Sequence, residues 1–523
     1  MTKELEISID SILGGISPSL GFGGEGQYLA GIAVDPEFPA TDSAVVPSGW
    51  IRPTAMEKFS STEIDSPPLW IQTNPKDTNV YTYLVNGKFV SYNSSLASPS
   101  SIGTPTNGNG GGMVYYDNYY WLFTTTNVTR YGPLTSSPAL INSSWTAGSF
   151  TGTSGGLGLT ALTNTTYPAI RGVTMPNHVA HRHTDDAVYF CDVHAGGYGI
   201  LNKIKTTKTT VEGDTNNGSA YNVLDFDAGV YPTTVCSYQE SLAVALIEGV
   251  STTVRQKNAK ISFWDTTSDS FSLITDDEFP DPLITALLNV NGVLYVASGS
   301  ATGGCRISRY VGGYTHETIW YNQDAFPPLQ GAFADLLNRV VFGSATTYPE
   351  ASASVFGIGS MDGKLSSGVH NILKTTSTGT TPYVTAVCYA QNSALPRLAP
   401  IVGWKDGTTA GAIDKLSSTY GVWVIRFGAF KIGEYFEIYQ VDIPLGAAVA
   451  ANMTVIPKIY VDSETANTAL RTINATNFAT SDKFVSIMTR VIGKSDFVLE
   501  LRGTGTVLLP IAFPIKIKLR TIR

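Results

Sequence analysis

A chain of 523 residues is long enough for two to four domains, and 43% hydrophobic content makes it globular rather than disordered. Only 15% of its residues are charged and the formal net charge is −8, which argues against a dedicated nucleic-acid binder. The missing charge is replaced by 51 glycines, 26 tyrosines and many Ser, Thr and Asn, a palette that suits strands and tight turns and excludes a helical protein.

The first segment, Met1–Asp10, alternates apolar and polar residues as a strand does, and it has no apolar core of the kind a signal peptide carries. No window along the chain approaches about 20 uninterrupted apolar residues, so no membrane span is expected. Residues 21–68 are rich in Gly and Pro and read as an extended arm, whose backbone groups need partners elsewhere. Gly21, Gly23 and Gly26 match a dinucleotide fingerprint in letters. The Gln27–Pro36 stretch that follows is strand-like, however, where that motif needs a helix. No cofactor is therefore expected.

From residue 69 the sequence repeats a loose unit of turn, short aromatic or β-branched strand, gap and second strand. Its clearest copies are Gly112–Thr124 followed by Val128–Gly132, and Asn289–Gly299 followed by Arg306–Tyr310. In each, two strands meet at Asp117-Asn118 or Asn291-Gly292, pairs that tolerate the positive φ of a tight hairpin. About seven such units fall between 69 and 419, a rhythm that predicts a β-propeller. Four cysteines, Cys191, Cys236, Cys305 and Cys388, are widely separated, three of them in strand-like apolar contexts, and read as buried free thiols. From about Tyr420 the blade rhythm stops and longer strands begin. They include Tyr435–Val441, Thr454–Val461, Phe497–Leu501 and Ile515–Leu519. The predicted organisation is thus all-β: residues 1–68 an N-terminal strand and arm, 69–419 a propeller of about seven blades, and 420–523 an antiparallel β-sandwich.

Three clusters could carry chemistry. His178, His181, His183 and His194 gather within one blade with Asp185, Asp186 and Asp192. On a strand, His181 and His183 share a face as metal ligands could, although the spacing matches no named zinc motif and a solvated blade edge also accounts for it. Asp276, Asp277, Glu278 and Asp281 form an acidic loop that could hold calcium or serve hydrolysis, or simply be solvated. Lys516, Lys518 and Arg520 make a positive row at the C-terminus. That row suits an edge strand guarded by lysines, or contact with a polyanion. No nucleophile elbow or catalytic residue is identified, so an enzyme is not expected.

The unsignalled strand start, the arm Gly23-Gly24-Glu25-Gly26-Gln27-Tyr28-Leu29, blades such as Val114–Trp121 and the C-terminal Ile515–Leu519 strand together resemble virion structural proteins of tailed bacteriophages. The likeness is to propeller-bearing tail nozzle or hub proteins. It implies a virion component, made in the host cytoplasm, that forms a homo-oligomeric ring of six-fold type around the DNA channel and contacts other virion proteins and packaged DNA. Gly23, Gly26, Tyr28, Lys516, Lys518 and Arg520 are then the expected contact residues. The alternative is a carbohydrate-binding receptor or fibre module, with Tyr116, Tyr119 and Trp121 as its exposed aromatic platform.

Overall fold

A computed structural model describes residues 3–11, 15–16, 27–28, 30–32, 54–59, 64–74, 79–93, 99–104, 110–124, 128–135, 138–141, 169–176, 179–194, 198–207, 210–212, 222–248, 258–266, 276–336, 339–348, 353–362, 369–376, 381–392, 395–407, 410–417, 422–462, 467–505 and 511–522. Nearly all regular structure among them is strand, with one short 3-10 turn at Gln330–Ala332. No helix among the described residues is long and apolar enough to cross a membrane. The chain forms two compact units. A meander unit comprises Lys58–Ala345 with Ser377–Lys415, and a two-sheet unit comprises Met1–Glu57, Thr346–Thr376 and Leu416–Arg523.

The meander unit is built as the repeat predicts. Consecutive strands fold into antiparallel sheets, beginning with Pro68–Thr73, Val80–Leu84, Phe89–Tyr92 and Pro99–Gly103. The second holds Gly110–Tyr116, Tyr119–Thr124, Val128–Gly132 and Ala139–Ile141. Its first hairpin turns at Asp117 and Asn118 with φ of 48° and 65°, and pairs Tyr116 with Tyr119. The third is led by Ala180–Arg182 and Val188–His194, the fourth by Val230–Tyr238, and the fifth by Leu283–Val290. In the fifth, Asn291 and Gly292 turn with φ of 51° and 82°. Both turns have the two left-handed residues of a type I′ hairpin, as Asp-Asn and Asn-Gly lead one to expect. Phe333–Leu336 pairs with Arg339–Tyr348, and Tyr383–Asn392, Leu395–Asp406 and Ala410–Leu416 form a final meander.

The leading strand of each of these sheets lies against that of the next, and Tyr383–Asn392 returns to Pro68–Thr73, giving the ring organisation of a propeller. Side chains tie neighbours together. Trp70 Nε1 donates to Gly111 O at 2.6 Å, Tyr83 OH to Phe123 O at 2.8 Å, and Thr73 Oγ1 to Tyr389 O at 3.0 Å. Gln330 accepts from Thr234 Oγ1 and from the Leu287 N–H, and donates to Leu287 O, at 2.6–2.8 Å. The chain's two ends within the unit also meet: the Phe59 N–H donates to Ile413 O at 2.7 Å, and Ile64 bridges to Gly411.

A second regularity lies in the leading strands. Thr233, Thr285 and Thr385 each sit at a β-bulge, buried, with the hydroxyl 3.3–3.4 Å from the facing carbonyls of Ala245, Ala297 and Gly403. A bulge raises local twist, and each threonine hydroxyl has a carbonyl within reach there, that of Thr233 lying closer, at 2.8 Å, to Ile284 O of the next sheet. The hairpin Ala169–Ile170 with Val173–Thr174 buries Ile170, Val173 and Met175 in one apolar cluster. That cluster also holds Leu69, Met113, Cys236, Leu287, Leu329 and Tyr383 from the surrounding sheets. Its turn carbonyl, Arg171 O, accepts from the buried Lys405 Nζ at 2.9 Å.

In the two-sheet unit, one sheet runs Glu4–Ile9, Ile515–Thr521, Phe436–Pro444 and Phe484–Gly493, all antiparallel. The other runs Asn467–Ala469, Met453–Val461, Asp496–Gly505, Trp423–Lys431 and Ala30–Ile32. Both contribute to a single apolar core that includes Ile425, Phe436, Ile438, Phe497, Leu499, Ile515 and Ile517. The N-terminal strand and part of the arm therefore belong to the same compact unit as the C-terminal strands. Glu4–Ile9 gains its backbone partners from Ile515–Thr521, which is why so short a segment is held at all.

A Cβ at Gly331 would run into the Leu69 carbonyl oxygen, and one at Gly313 would meet nothing. Gly331→Ala is expected to lower unfolding stability by about 2 kcal/mol, as overpacking against backbone does. Gly313→Ala should stay within about 0.5 kcal/mol of the parent in urea denaturation.

Candidate functional site

The histidine cluster resolves into a bridge between the third and fourth sheets. His181 lies on Ala180–Arg182 and His183 one residue beyond it. Both rings point at Ser237, on the fourth sheet's leading strand. Ser237 Oγ is 2.9 Å from His181 Nε2 and 2.8 Å from His183 Nδ1. The Ser237 backbone N–H donates to His181 Nε2 at 3.0 Å, so that nitrogen carries a lone pair and the ring is neutral. The Ser237 hydroxyl lies between the two rings, and because the one lone pair of His181 Nε2 is already taken by the backbone N–H, the hydroxyl proton is left for His183 Nδ1, while Thr184 Oγ1 meets His183 Nε2 at 3.4 Å. Asn289 Nδ2 donates to Ser237 O at 2.8 Å, which extends the network to the fifth sheet.

Burial, with the nearby His183 adding to it, pushes the His181 pKa down to about 4, and burial also lowers that of His183. His181 Nε2 and His183 Nδ1 are both occupied by Ser237, and no group of three His, Cys, Asp or Glu side chains suited to a metal occurs among the described residues. The His183 ring also packs edge-on to Tyr189. His178 lies outside the described residues. Asp185 holds Lys203 at 2.7 Å and Tyr189 OH at 2.8 Å, and Asp186 pairs with Arg182 at 2.8 Å.

The acidic stretch is not a loop but a strand, Asp276–Glu278, paired with Lys260–Trp264, and its carboxylates are equally engaged. Asp276 meets Lys260 at 3.0 Å and Ser262, Asp277 accepts from Tyr310 OH at 2.8 Å and contacts His316 Nδ1 at 2.7 Å, and Asp281 holds Arg306 at 2.8 Å. These carboxylates anchor strand ends. Cys191, Cys236 and Cys305 are buried, Cys388 half-buried, and all four are unbridged. Burial pushes their thiols up, that of Cys236 to about 12, so none is poised as a thiolate.

The C-terminal basic row does not lie on an edge, because Ile515–Thr521 sits between Glu4–Ile9 and Phe436–Pro444. Its charges meet carboxylates on those flanking strands. Lys516 pairs with Glu6 at 2.8 Å, Lys518 with Asp442 at 3.2 Å, and Arg520 with Glu437 at 2.7 Å. Tyr28 lies in a short parallel pair in register with Ile16, and Gly23 and Gly26 fall outside the described residues. Of the aromatic residues considered for a glycan platform, Tyr116 and Trp121 are buried, and Tyr119 lies under the Arg130 guanidinium at 4.9 Å.

The edges of that sheet are Glu4–Ile9 and Phe484–Gly493, the second a strand the sequence reading passed over. Val485, Ile487 and Val491 face the core. The other face presents Phe484, Met488 and Ile492, which are 56%, 71% and 49% exposed. Arg490 on the same face reaches Glu437 at 3.2 Å while staying largely in solvent. Among the described residues no strand pairs with its second edge. The signal was in the sequence: Phe484-Val485-Ser486-Ile487-Met488 and Val491-Ile492 are apolar in both phases of the alternation, which one buried face does not require.

Below its ordinary pKa the unfolded His181 binds a proton that the folded ring refuses, so stability is full above about pH 6.5 and falls as pH drops from 6.5 towards 4. The expected loss is about 2–3 kcal/mol. Denaturant midpoints at pH 7.5 and 4.5 check it. His181→Gln should show a markedly smaller acid loss, and an unchanged one would overturn the assignment.

No family model matches the chain, and no curated protein matches it either. Solved structures with similar architecture include the Neurospora crassa Pan2 WD40 domain, at 8% identity over 69% of this chain and 95% of that one, with a TM-score of 0.37. The AfRom2 CNH domain matches at 9% identity over 69% and 99%, also at 0.37, and the computationally designed Ika8 protein at 11% over 68% and 99%, at 0.34.

Proposed function

We propose that this chain is a self-assembling structural protein of the tailed-phage virion type, similar to a tail nozzle or hub component. Its meander unit is a seven-bladed propeller used as a rigid body, and its two-sheet unit is a sandwich that carries subunit contacts. The observation that carries this reading is the open Phe484–Gly493 edge with its apolar outer row. An unpaired, apolar edge strand invites pairing, and proteins that remain single usually blunt it with charge, proline or a covering loop. Here the charges of the same sheet are spent on one another, as Lys516, Lys518 and Arg520 show, and the apolar row is left uncovered.

The low charged fraction of the chain, 15%, supports the same reading, since Ser, Thr, Asn and Tyr are covered by a neighbour at less desolvation cost than ions are. The histidine cluster and the acidic stretch are accounted for by bridging and anchoring within the meander unit. In the virion such a chain would contact its own copies, other structural proteins and, passively, packaged DNA.

Electron microscopy of the purified full chain at micromolar concentration should show particles of fixed symmetry, with rings the expected form. A monodisperse monomer that binds a glycan array would overturn the reading in favour of a receptor module.

A further inference from the structure

We infer that two copies of this chain join through Phe484–Gly493, antiparallel and in register about Met488, so that two edges become one continuous sheet. The inference rests on the assembly reading above and names the partner at that edge: a second copy.

The argument is self-complementarity. A two-fold axis at Met488 sets Phe484 opposite the second copy's Ile492, and the reverse by symmetry, with Met488 facing its own counterpart. All three exposed apolar side chains of the row then meet apolar partners across the seam. Ser486 falls opposite Arg490, so the one cation on that face of the strand meets no like charge. The core-facing set follows without a clash, since Val485 falls opposite Val491 and Ile487 opposite Thr489. A register shifted by one residue would put the exposed row against the buried row and is excluded by the pleat.

Backbone groups supply the rest. Phe436–Pro444 pairs with one side of Phe484–Gly493, with a register shift between Met488 and Val491, and the second side offers donors and acceptors that a second strand can complete. The sheet order Glu4–Ile9, Ile515–Thr521, Phe436–Pro444, Phe484–Gly493 would continue outward through the same four strands reversed, with an apolar band at its centre and paired charges on either side.

Cysteine cross-linking tests the register. Directly opposed residues in an antiparallel pair have Cα atoms about 4.5–5.5 Å apart, within the ~4.4–6.8 Å a disulfide spans. Met488→Cys should form a disulfide-linked dimer under mild oxidation. Phe484→Cys and Ile492→Cys should cross-link when mixed and not when oxidised separately, with the unsubstituted chain as the blank for Cys388. Met488→Glu, at a position 71% exposed and so free of folding demands, should weaken self-association at least tenfold in sedimentation velocity while leaving circular dichroism unchanged. If the chain assembles but Met488→Glu leaves association intact and Met488→Cys stays unlinked, this interface is overturned and the assembly reading stands. If the unsubstituted chain is monomeric throughout, both fail.

Discussion

Everything in the meander unit depends on closure. A four-stranded antiparallel sheet of this composition is apolar on both faces: Tyr120 and Leu122 pack into one cluster while Trp121 and Phe123 pack into another. No single sheet can bury both sides, so each needs a neighbour on either hand, and a row of such sheets is satisfied only when the last meets the first. The closing contacts are small ones, a hydrogen bond from Phe59 to Ile413, a bridge from Ile64 to Gly411 and the Thr73 hydroxyl on Tyr389. They hold because the apolar burial around the rest of the ring has already brought those segments together.

Closure also explains where polar side chains are found inside. The bulged threonines, Gln330 and the Ser237 pair with His181 and His183 all lie where one sheet meets the next or where a leading strand is bent. Each repairs a backbone or hydroxyl group that the ring geometry would strand. A neutral histidine buried between sheets is one such repair, and its cost appears only in acid. The two-sheet unit handles its charges differently, with Arg426 on the fully buried Glu500 in one sheet and a lysine–carboxylate row across the other. Charge in this chain is mostly local glue, which fits how little of it there is.

What could be read in advance was local. The Asp117-Asn118 and Asn291-Gly292 hairpins, the strand alternation of Ile515–Leu519 and the burial of Cys191 and Cys236 follow from backbone preferences and side-chain periodicity within a few residues, whereas Cys388 is only half-buried. What could not be read was long-range. Nothing near Glu4–Ile9 says that its partner is Ile515–Thr521, and the basic row looked like an edge because the strands flanking it lie elsewhere in the sequence. The histidines were legible as a cluster, but Ser237 enters from another sheet and turns two apparent ligands into hydrogen-bonded neighbours. The Thr233, Thr285 and Thr385 repeat was visible in principle, yet its meaning requires knowing that each strand is bulged at that point.

The pairing of Glu4–Ile9 with Ile515–Thr521 also sets an order of events during synthesis. Glu6 and Lys516 are 510 residues apart, which at about 5–20 residues per second is a wait of roughly 25–100 s on the ribosome. Throughout that interval Leu5, Ile7 and Ile9 have no sheet to join, while the sheets between them can fold one after another as they emerge. The two-sheet unit, with its apolar edge, is therefore completed only after every strand of the ring has emerged.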